Sequence, residues 1–411
     1  MKNLQLKSPY HVYIYTCFLS QFFFTLVFTV NLLYHVQTVQ LTALQLVLVG
    51  TVLELTVFLF EIPTGVVSDL KSRKLSMIIG YFLIGCGFFI EGLFPVFAAV
   101  IASQILWGIG YTFTSGSQQA WIADEIGETK ASSAILKGAR AGNFGQIIAI
   151  PISIILGYSL INLPIMIGGI AMVGLSLFVL IFMKEEHFIP QNKQKQITVM
   201  ENMTDNLKLI ITSAKMNRLI RLLLLIALFF GLYSEGFDRL WLSHLLEAPQ
   251  LLGLTDETLV IMAGALNFIV MIFSFLALYI INRLSLHLEL RKIYIALFIG
   301  AILIILSLLG FSLSTGIVSL IIFYMIIAGT RQVMYPLEDI WLNKIIPDSS
   351  ARATFFSVKG QVDSIGQIGG GPFIGWIGSH FAIKIAIIAS AVLLTPVLYL
   401  YRSLLKKKHR L

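Results

Sequence analysis

The segment Glu61-Ile62-Pro63-Thr64-Gly65-Val66-Val67-Ser68-Asp69-Leu70-Lys71-Ser72-Arg73-Lys74 joins two long apolar runs through one short polar turn. Upstream, residues 43–68 carry only Glu54 and Glu61 as charged groups; downstream, residues 75–96 carry only Glu91. Gly65 has no side chain to keep neighbouring helices apart. Asp69 ends one helix beside a tight basic turn. An acid so placed can pair with Arg73 or sit at a helix N-terminus, where negative charge is favoured. Such a pair can hold one side of a helical bundle shut; the plainer reading is a basic turn that marks one membrane face.

The rest of the chain repeats this alternation of apolar run and polar break. Of 411 residues, 57% are hydrophobic and 12% charged, and the mean hydropathy is +0.88. Soluble domains have roughly 45–50% apolar and about 25% charged residues, so water is not the main solvent of this chain. A spanning helix needs about 20 apolar residues. Runs of that size lie near 10–34, 43–68, 75–96, 98–126, 133–158 and 162–183, and again near 219–246, 257–281, 292–313, 316–345, 352–378 and 381–402. They predict an all-α membrane protein with twelve transmembrane helices and no room for a soluble catalytic domain. Outer-membrane barrels show short alternating segments instead. The first run has no small-residue cleavage site and reads as a retained span. Cys17 and Cys86 both lie in apolar runs, away from any disulfide or metal pattern.

Residues 184–218 form the longest polar stretch and divide the chain into an N-terminal six-helix bundle (1–183), a central loop (184–218) and a C-terminal six-helix bundle with a basic tail (219–411). Leu207, Leu209, Ile210 and Ile211 could form a short helix on the membrane surface. The halves echo each other: Lys137-Gly138…Gly145-Gln146 and Lys359-Gly360…Gly366-Gln367 are offset by 222 and 221 residues. Such repeats suit two pseudo-symmetric six-helix bundles.

Lys and Arg gather in cytoplasmic loops. With both termini inside, only Lys384 of the 29 falls outside and Arg239 and Arg331 lie within spans, leaving 26 on the inner face. The net charge of +8 is therefore spread over inner loops and the tail, where anionic lipid accounts for it; no nucleic-acid partner is expected.

The opening segment resembles the signature of the major facilitator superfamily, Gly-x-x-x-Asp-(Arg/Lys)-x-Gly-Arg-(Arg/Lys). Gly65, Asp69, Arg73 and Lys74 match it, while Leu70 stands where a basic residue is usual and Ser72 where glycine is usual. The longer pattern through Glu61, Pro63, Asp69, Arg73 and Lys74 is similar to drug/proton antiporters of the clostridial tetracycline-efflux and macrolide-efflux-like type. The resemblance implies the superfamily fold, Gly65, Asp69, Arg73 and Lys74 as a gating loop, a bacterial cell membrane, and a proton gradient in place of any cofactor. Proton-coupled members commonly carry an arginine a turn before a Gly-x-Gly of the fourth span; here Gln104 precedes Gly108-Ile109-Gly110. The antiporter glycine/proline pattern of the fifth span is partly present in Gly138, Gly142, Gly145 and Pro151. A fuller version, Gly366, Gly369, Gly370, Gly371-Pro372 and Gly375, lies in the eleventh.

Ionisable groups at membrane depth cost roughly 2.5–3.5 kcal/mol on insertion scales, so each is expected to be paired or useful. Glu54, Glu61 and Asp363 are the proton-coupling candidates. Glu61 lies seven residues beyond Glu54 on the same face, about 10 Å along the helix. Arg331, Glu235, Asp238, Arg239 and Gln118 are the substrate-cavity candidates; Glu235 and Arg239 are spaced i,i+4 and can be a purely structural pair. Asp124 with Glu125, and Glu338 with Asp339, are inner gates or wetted helix ends. Glu91 is expected to snorkel to the outer surface, and Trp121, Trp241, Trp341 and Trp376 to anchor at the interfaces. Tyr111, Phe113 and Tyr233 can line a cavity.

No Gly-x-x-x-x-Gly-Lys-(Ser/Thr) occurs, and the seven histidines form no His-Glu-x-x-His or other metal-ligand set, so neither an ATP-driven pump nor an enzyme is expected. The expectation is a monomeric, proton-driven exporter of small amphiphilic drugs working by alternating access, with tetracycline as the named compound. The alternative is an importer by proton symport, or a lipid flippase.

Overall fold

The computed structural model describes residues 8–190, 208, 212, 218–284, 289–346 and 349–406, and among these the regular structure is helical. The segment Leu207–Ile211, read as a surface helix, lies outside the described residues apart from residue 208. Twelve long helical segments follow in order. Spans 1–6 are Pro9–Gln37, Ala43–Leu70, Arg73–Leu93, Phe97–Ile126, Glu128–Ser159 and Leu163–Phe182. Spans 7–12 are Arg218–Leu246, Asp256–Leu284, Leu290–Leu313, Ile317–Ile345, Ser349–His380 and Ile383–Leu405.

Eleven of these are both long and apolar enough to cross a membrane. Span 11 is the exception: at 32 residues it is long enough, but Gln361, Asp363, Gln367 and its glycine run dilute its hydropathy. Span 5 starts at Glu128, ahead of the expected 133, because its first turn is polar and leaves no apolar mark. Three of the described spans are broken, span 12 at Thr395 ahead of Pro396. Span 1 consists of Pro9–Phe28 and Asn31–Gln37. Span 4 consists of Phe97–Thr114 and Ser117–Ile126, separated at Gly116, whose φ of 72° favours a residue without a Cβ.

The helices fall into two compact units. One comprises residues 1–40, 52–203 and 255–267; the other comprises residues 41–51, 204–254 and 268–411. In the first unit, span 1 packs on spans 5 and 6, and span 3 on spans 4 and 6. In the second, span 7 packs on spans 11 and 12, and span 9 on spans 10 and 12. Adding six to each number of the first set gives the second, so the faint sequence echo corresponds to one packing scheme used twice.

Close crossings depend on particular glycines. At the crossing of spans 7 and 11, a Cβ on Gly231 would collide with the Asp363 carbonyl, and one on Gly366 with the Leu228 carbonyl. Small residues let helices approach in this way. Gly65 does not serve this purpose, since a Cβ there meets nothing within 4 Å.

Three of the four tryptophans expected at interfaces are buried instead. Trp121 is 1% exposed and Trp341 0%. Trp341 packs edge-on against Tyr294, and Trp241 stacks on Tyr324 with centroids 4.1 Å apart. An indole near a helix end reads as interfacial in sequence, yet here neighbouring helices cover it. Trp376 stays exposed, as an interfacial ring would be.

Candidate functional site

Two cavities, one in each unit, bring candidate residues together. The cavity of the first unit, about 550 Å³, lies among spans 1, 3, 4 and 5. Its wall carries Tyr13, Cys17, Gln21, Tyr81, Tyr111, Gln118, Gln119, Asn143 and Gln146, and among the described residues no charged one lines it. The amides hold one another: Gln146 Nε2 donates to Gln21 Oε1 at 2.8 Å, and Tyr81 OH to Gln118 Oε1 at 3.3 Å. The break at Gly116 turns Gln118 and Gln119 inward. Gln118 and Tyr111, both expected, are here; Phe113 is not among the lining residues.

The cavity of the second unit, about 320 Å³, is of opposite character. Asp238 of span 7, Arg331, Tyr335, Glu338 and Asp339 of span 10, and Lys359, Asp363 and Gln367 of span 11 surround it. Arg331 grips Asp238 with both terminal nitrogens, the Nη2–Oδ2 distance being 2.9 Å. It donates as well to the Tyr335 hydroxyl, from Nη2 at 2.8 Å and Nε at 3.1 Å, and stands over the buried Tyr233 ring. Lys359 Nζ lies 2.9 Å from Glu338 Oε2 and 3.5 Å from Asp339 Oδ1. Gln367 Nε2 donates to Asp363 Oδ2 at 2.8 Å. Four carboxylates thus face two cations, a formal excess of two negative charges. Such an excess in a membrane protein's interior favours a bound proton or a cationic group.

The expected candidates divide accordingly. Asp238, Arg331, Glu338, Asp339 and Asp363 come together in the second cavity. Glu235 and Arg239 are not among its lining residues; they pair with each other at 2.8 Å, beside Gly50, where a Cβ would collide with the Glu235 carboxylate. Glu54 and Glu61 are half-buried on span 2 and line neither cavity. The sequence echo recurs in space: Gly138 and Gln146 line one cavity, Lys359, Gly360 and Gln367 the other.

The opening loop is a dense polar joint. Arg73 pairs with Asp69, donates to Ser68 Oγ at 3.3 Å and reaches Asp124 Oδ2 at 3.5 Å. Ser72, standing where the resemblance expects glycine, caps span 3 by accepting from the Leu75 N–H at 2.9 Å. Sequence reasoning missed Glu185. Its carboxylate accepts from Ser72 Oγ at 2.5 Å and from the Arg73 backbone N–H at 2.6 Å, an anion seated on a helix N-terminus. Glu125 accepts from the backbone N–H groups of Glu186 and His187 at 2.8 and 3.0 Å. The central loop therefore starts pinned to the ends of spans 3 and 4. Nothing local marked Glu185, whose partners are more than 110 residues away.

Glu91 corrects another expectation. Instead of snorkelling, it is 0% exposed, and its Oε1 is 2.6 Å from both Asn31 Nδ2 and His35 Nε2. Gln104, where the resemblance expects arginine, donates to Glu91 Oε2 at 3.4 Å.

Comparison with known proteins agrees with this geometry. Residues 14–335 match the profile of the Major Facilitator Superfamily. The uncharacterized MFS-type transporter YxaM of Bacillus subtilis (strain 168) is 27% identical over 375 residues, covering 87% of this chain and 86% of the relative. Among solved structures, the nucleoside transporter NupG superposes with a TM-score of 0.74 at 16% identity, over 98% of this chain and 100% of that one. A bacterial homolog of the human lysosomal transporter Spinster gives 0.73 at 14%, over 98% and 97%. At such identities the structures speak for the fold alone, whereas the profile spans most of the sequence. The chain is a multi-pass membrane protein and a transporter of the major facilitator superfamily.

Proposed function

We propose that the chain is a proton-coupled secondary transporter that exports small amphiphilic, drug-like solutes across a bacterial cell membrane, as a monomer, by alternating access. The observation that carries this reading is the contrast between the cavities: one offers amides, tyrosines and Phe24 without charge, the other an excess of acid over base. A ringed solute with hydroxyl or amide groups finds hydrogen-bond partners and apolar surface in the first. The second offers carboxylates, Asp363 and Glu338 among them, on which a proton and a cationic group compete. If loading one expels the other, exchange follows from mass action and no nucleotide is consumed. Glu54 and Glu61, seven residues apart on span 2, are further candidates for carrying the coupled proton. Tetracycline-type polycycles are the first compounds to test.

A second reading, symport of a neutral hydroxylated solute, is favoured by the uncharged wall of the first cavity. Proteoliposomes with an imposed pH gradient separate the two. Export by exchange predicts that a fluorescent amphiphilic cation or tetracycline moves against the proton flow and stops when the gradient is collapsed. A neutral ribonucleoside moving with the protons, while the amphiphiles stay put, would replace the first reading by the second.

A further inference from the structure

Apart from both cavities, the first unit holds a buried polar cluster at the end of span 3 away from Arg73. Span 1 breaks at Thr29 and Val30, where Val30 has φ −116°, and resumes as the short helix Asn31–Gln37. Neither glycine nor proline stands at the break, where the Thr29 hydroxyl donates back to the Thr25 carbonyl at 2.7 Å, a bond that bends helices. Asn31 and His35, four apart on one face of that helix, both reach Glu91 Oε1 at 2.6 Å. His35 is 1% exposed. Gln104 of span 4 donates to Glu91 Oε2 at 3.4 Å, and the Tyr34 hydroxyl to the Glu91 carbonyl at 2.7 Å. From span 6, Asn162 Nδ2 donates to the neighbouring Gly92 carbonyl at 2.9 Å. The titratable groups facing His35 are thus Glu91 and Tyr34; Asn31, Gln104 and Asn162 are uncharged.

The proton inventory decides what this cluster can do. With Nε2–H of a neutral imidazole donating to an ionised Glu91, the cluster carries a full negative charge sealed from water. One added proton makes it an ion pair of zero net charge, and a place for that proton exists. His35 Nδ1 is buried and has no hydrogen-bond partner among the described residues, so its lone pair is open while Nε2–H stays on Glu91. The geometry points to a proton-binding site formed by His35 Nδ1 and the Glu91 carboxylate, whose loading sets how firmly Asn31–Gln37 is held across the break in span 1. Loading turns a hydrogen bond from a neutral ring into a buried ion pair, whose attraction is stronger in a low-dielectric site, so loading tightens the hold. On the other side of the break, the Thr29 carbonyl accepts from Asn267 Nδ2 of span 8 at 3.3 Å, a contact within the same unit. Span 8 is therefore the helix that registers a shift there.

The test is hydrogen exchange, read by mass spectrometry on the full-length protein in lipid nanodiscs over a series of pH values at which the protein stays folded. Peptides spanning residues 28–38 are followed after correction for the intrinsic pH dependence of exchange. The site predicts that protection in this segment falls about ten-fold as the proton leaves. The step is lost in His35→Gln, which keeps an amide donor, and equally in Glu91→Gln should the first variant fold poorly. A flat profile in the unmodified protein, or a step that survives both substitutions, overturns the site. The readout needs no cargo. A step in the parent protein together with transport indifferent to pH gradients would keep this site while removing the proton-coupled reading.

Discussion

Arg331 and Asp238, 93 residues apart, form a two-pronged ion pair that ties span 10 to span 7 across the wall of the acidic cavity. The planar guanidinium matches a carboxylate at two points through Nη1 and Nη2 and donates to Tyr335 from its adjoining Nε and Nη2 edge. An ammonium is a point charge and cannot reproduce this fork.

Arg331→Lys should therefore keep the charge and lose the geometry. Because the Asp238 side chain is 43% exposed, water screens the pair, and the cost to stability should be only about 1 kcal/mol. The effect on transport should be larger than that figure implies. Thermal unfolding in detergent beside a liposome assay checks the split; equal, small effects on both would make the pair structural alone.

Gly50 is the pair's counterpart in the same unit, because it leaves space for Glu235 and Arg239. Gly50→Ala should displace the Glu235 carboxylate and cost about 1–3 kcal/mol through overpacking. In a double-mutant cycle with Glu235→Ala, the two losses should fall well short of additivity, since truncating the acid removes the clash. Additive losses would mean that the backbone at residue 50 had already moved.

These relationships show where the sequence is legible and where it is not. Apolar runs placed span 10 at 316–345 against Ile317–Ile345 and span 9 at 292–313 against Leu290–Leu313, because hydropathy is a local property. The Glu235–Arg239 pair was legible for the same reason, its partners being four residues apart. Glu91 was misread because its partners His35 and Asn31 lie 56 and 60 residues away, and no periodicity reports such a distance. Trp341 was misread likewise, as Tyr294 and Tyr401 cover it from other helices. The break in span 1 left no glycine or proline behind. Tyr335, four residues after Arg331, did leave a local signal that the charge pattern alone overlooked.

At the opening loop, the cap and the seated anion separate stability from turnover. Ser72→Ala should cost about 1 kcal/mol, the usual loss for an N-cap hydroxyl, and Glu185→Gln should lower the melting temperature in the same direction. Asp69→Asn should instead slow cycling more than it weakens binding of cargo. Normal turnover in Asp69→Asn would reduce the loop to a topological signal.

Glu54→Gln preserves size and hydrogen-bonding capacity while removing the ionisable carboxyl. It should fold normally and still bind cargo, yet fail to move it against a gradient. Persistent uphill transport by Glu54→Gln would take this residue out of the coupling route.

Proton exchange on cargo binding is the central claim, and it can be read without reconstitution. Purified, weakly buffered protein is mixed with a small panel of amphiphilic drugs, tetracycline among them, and the pH of the solution is followed. The account predicts release of protons by at least one compound, and loss of that release in Asp363→Asn, the carboxylate placed in the acidic cavity. A compound that binds measurably but releases no proton, at any pH where the acidic residues titrate, would contradict it.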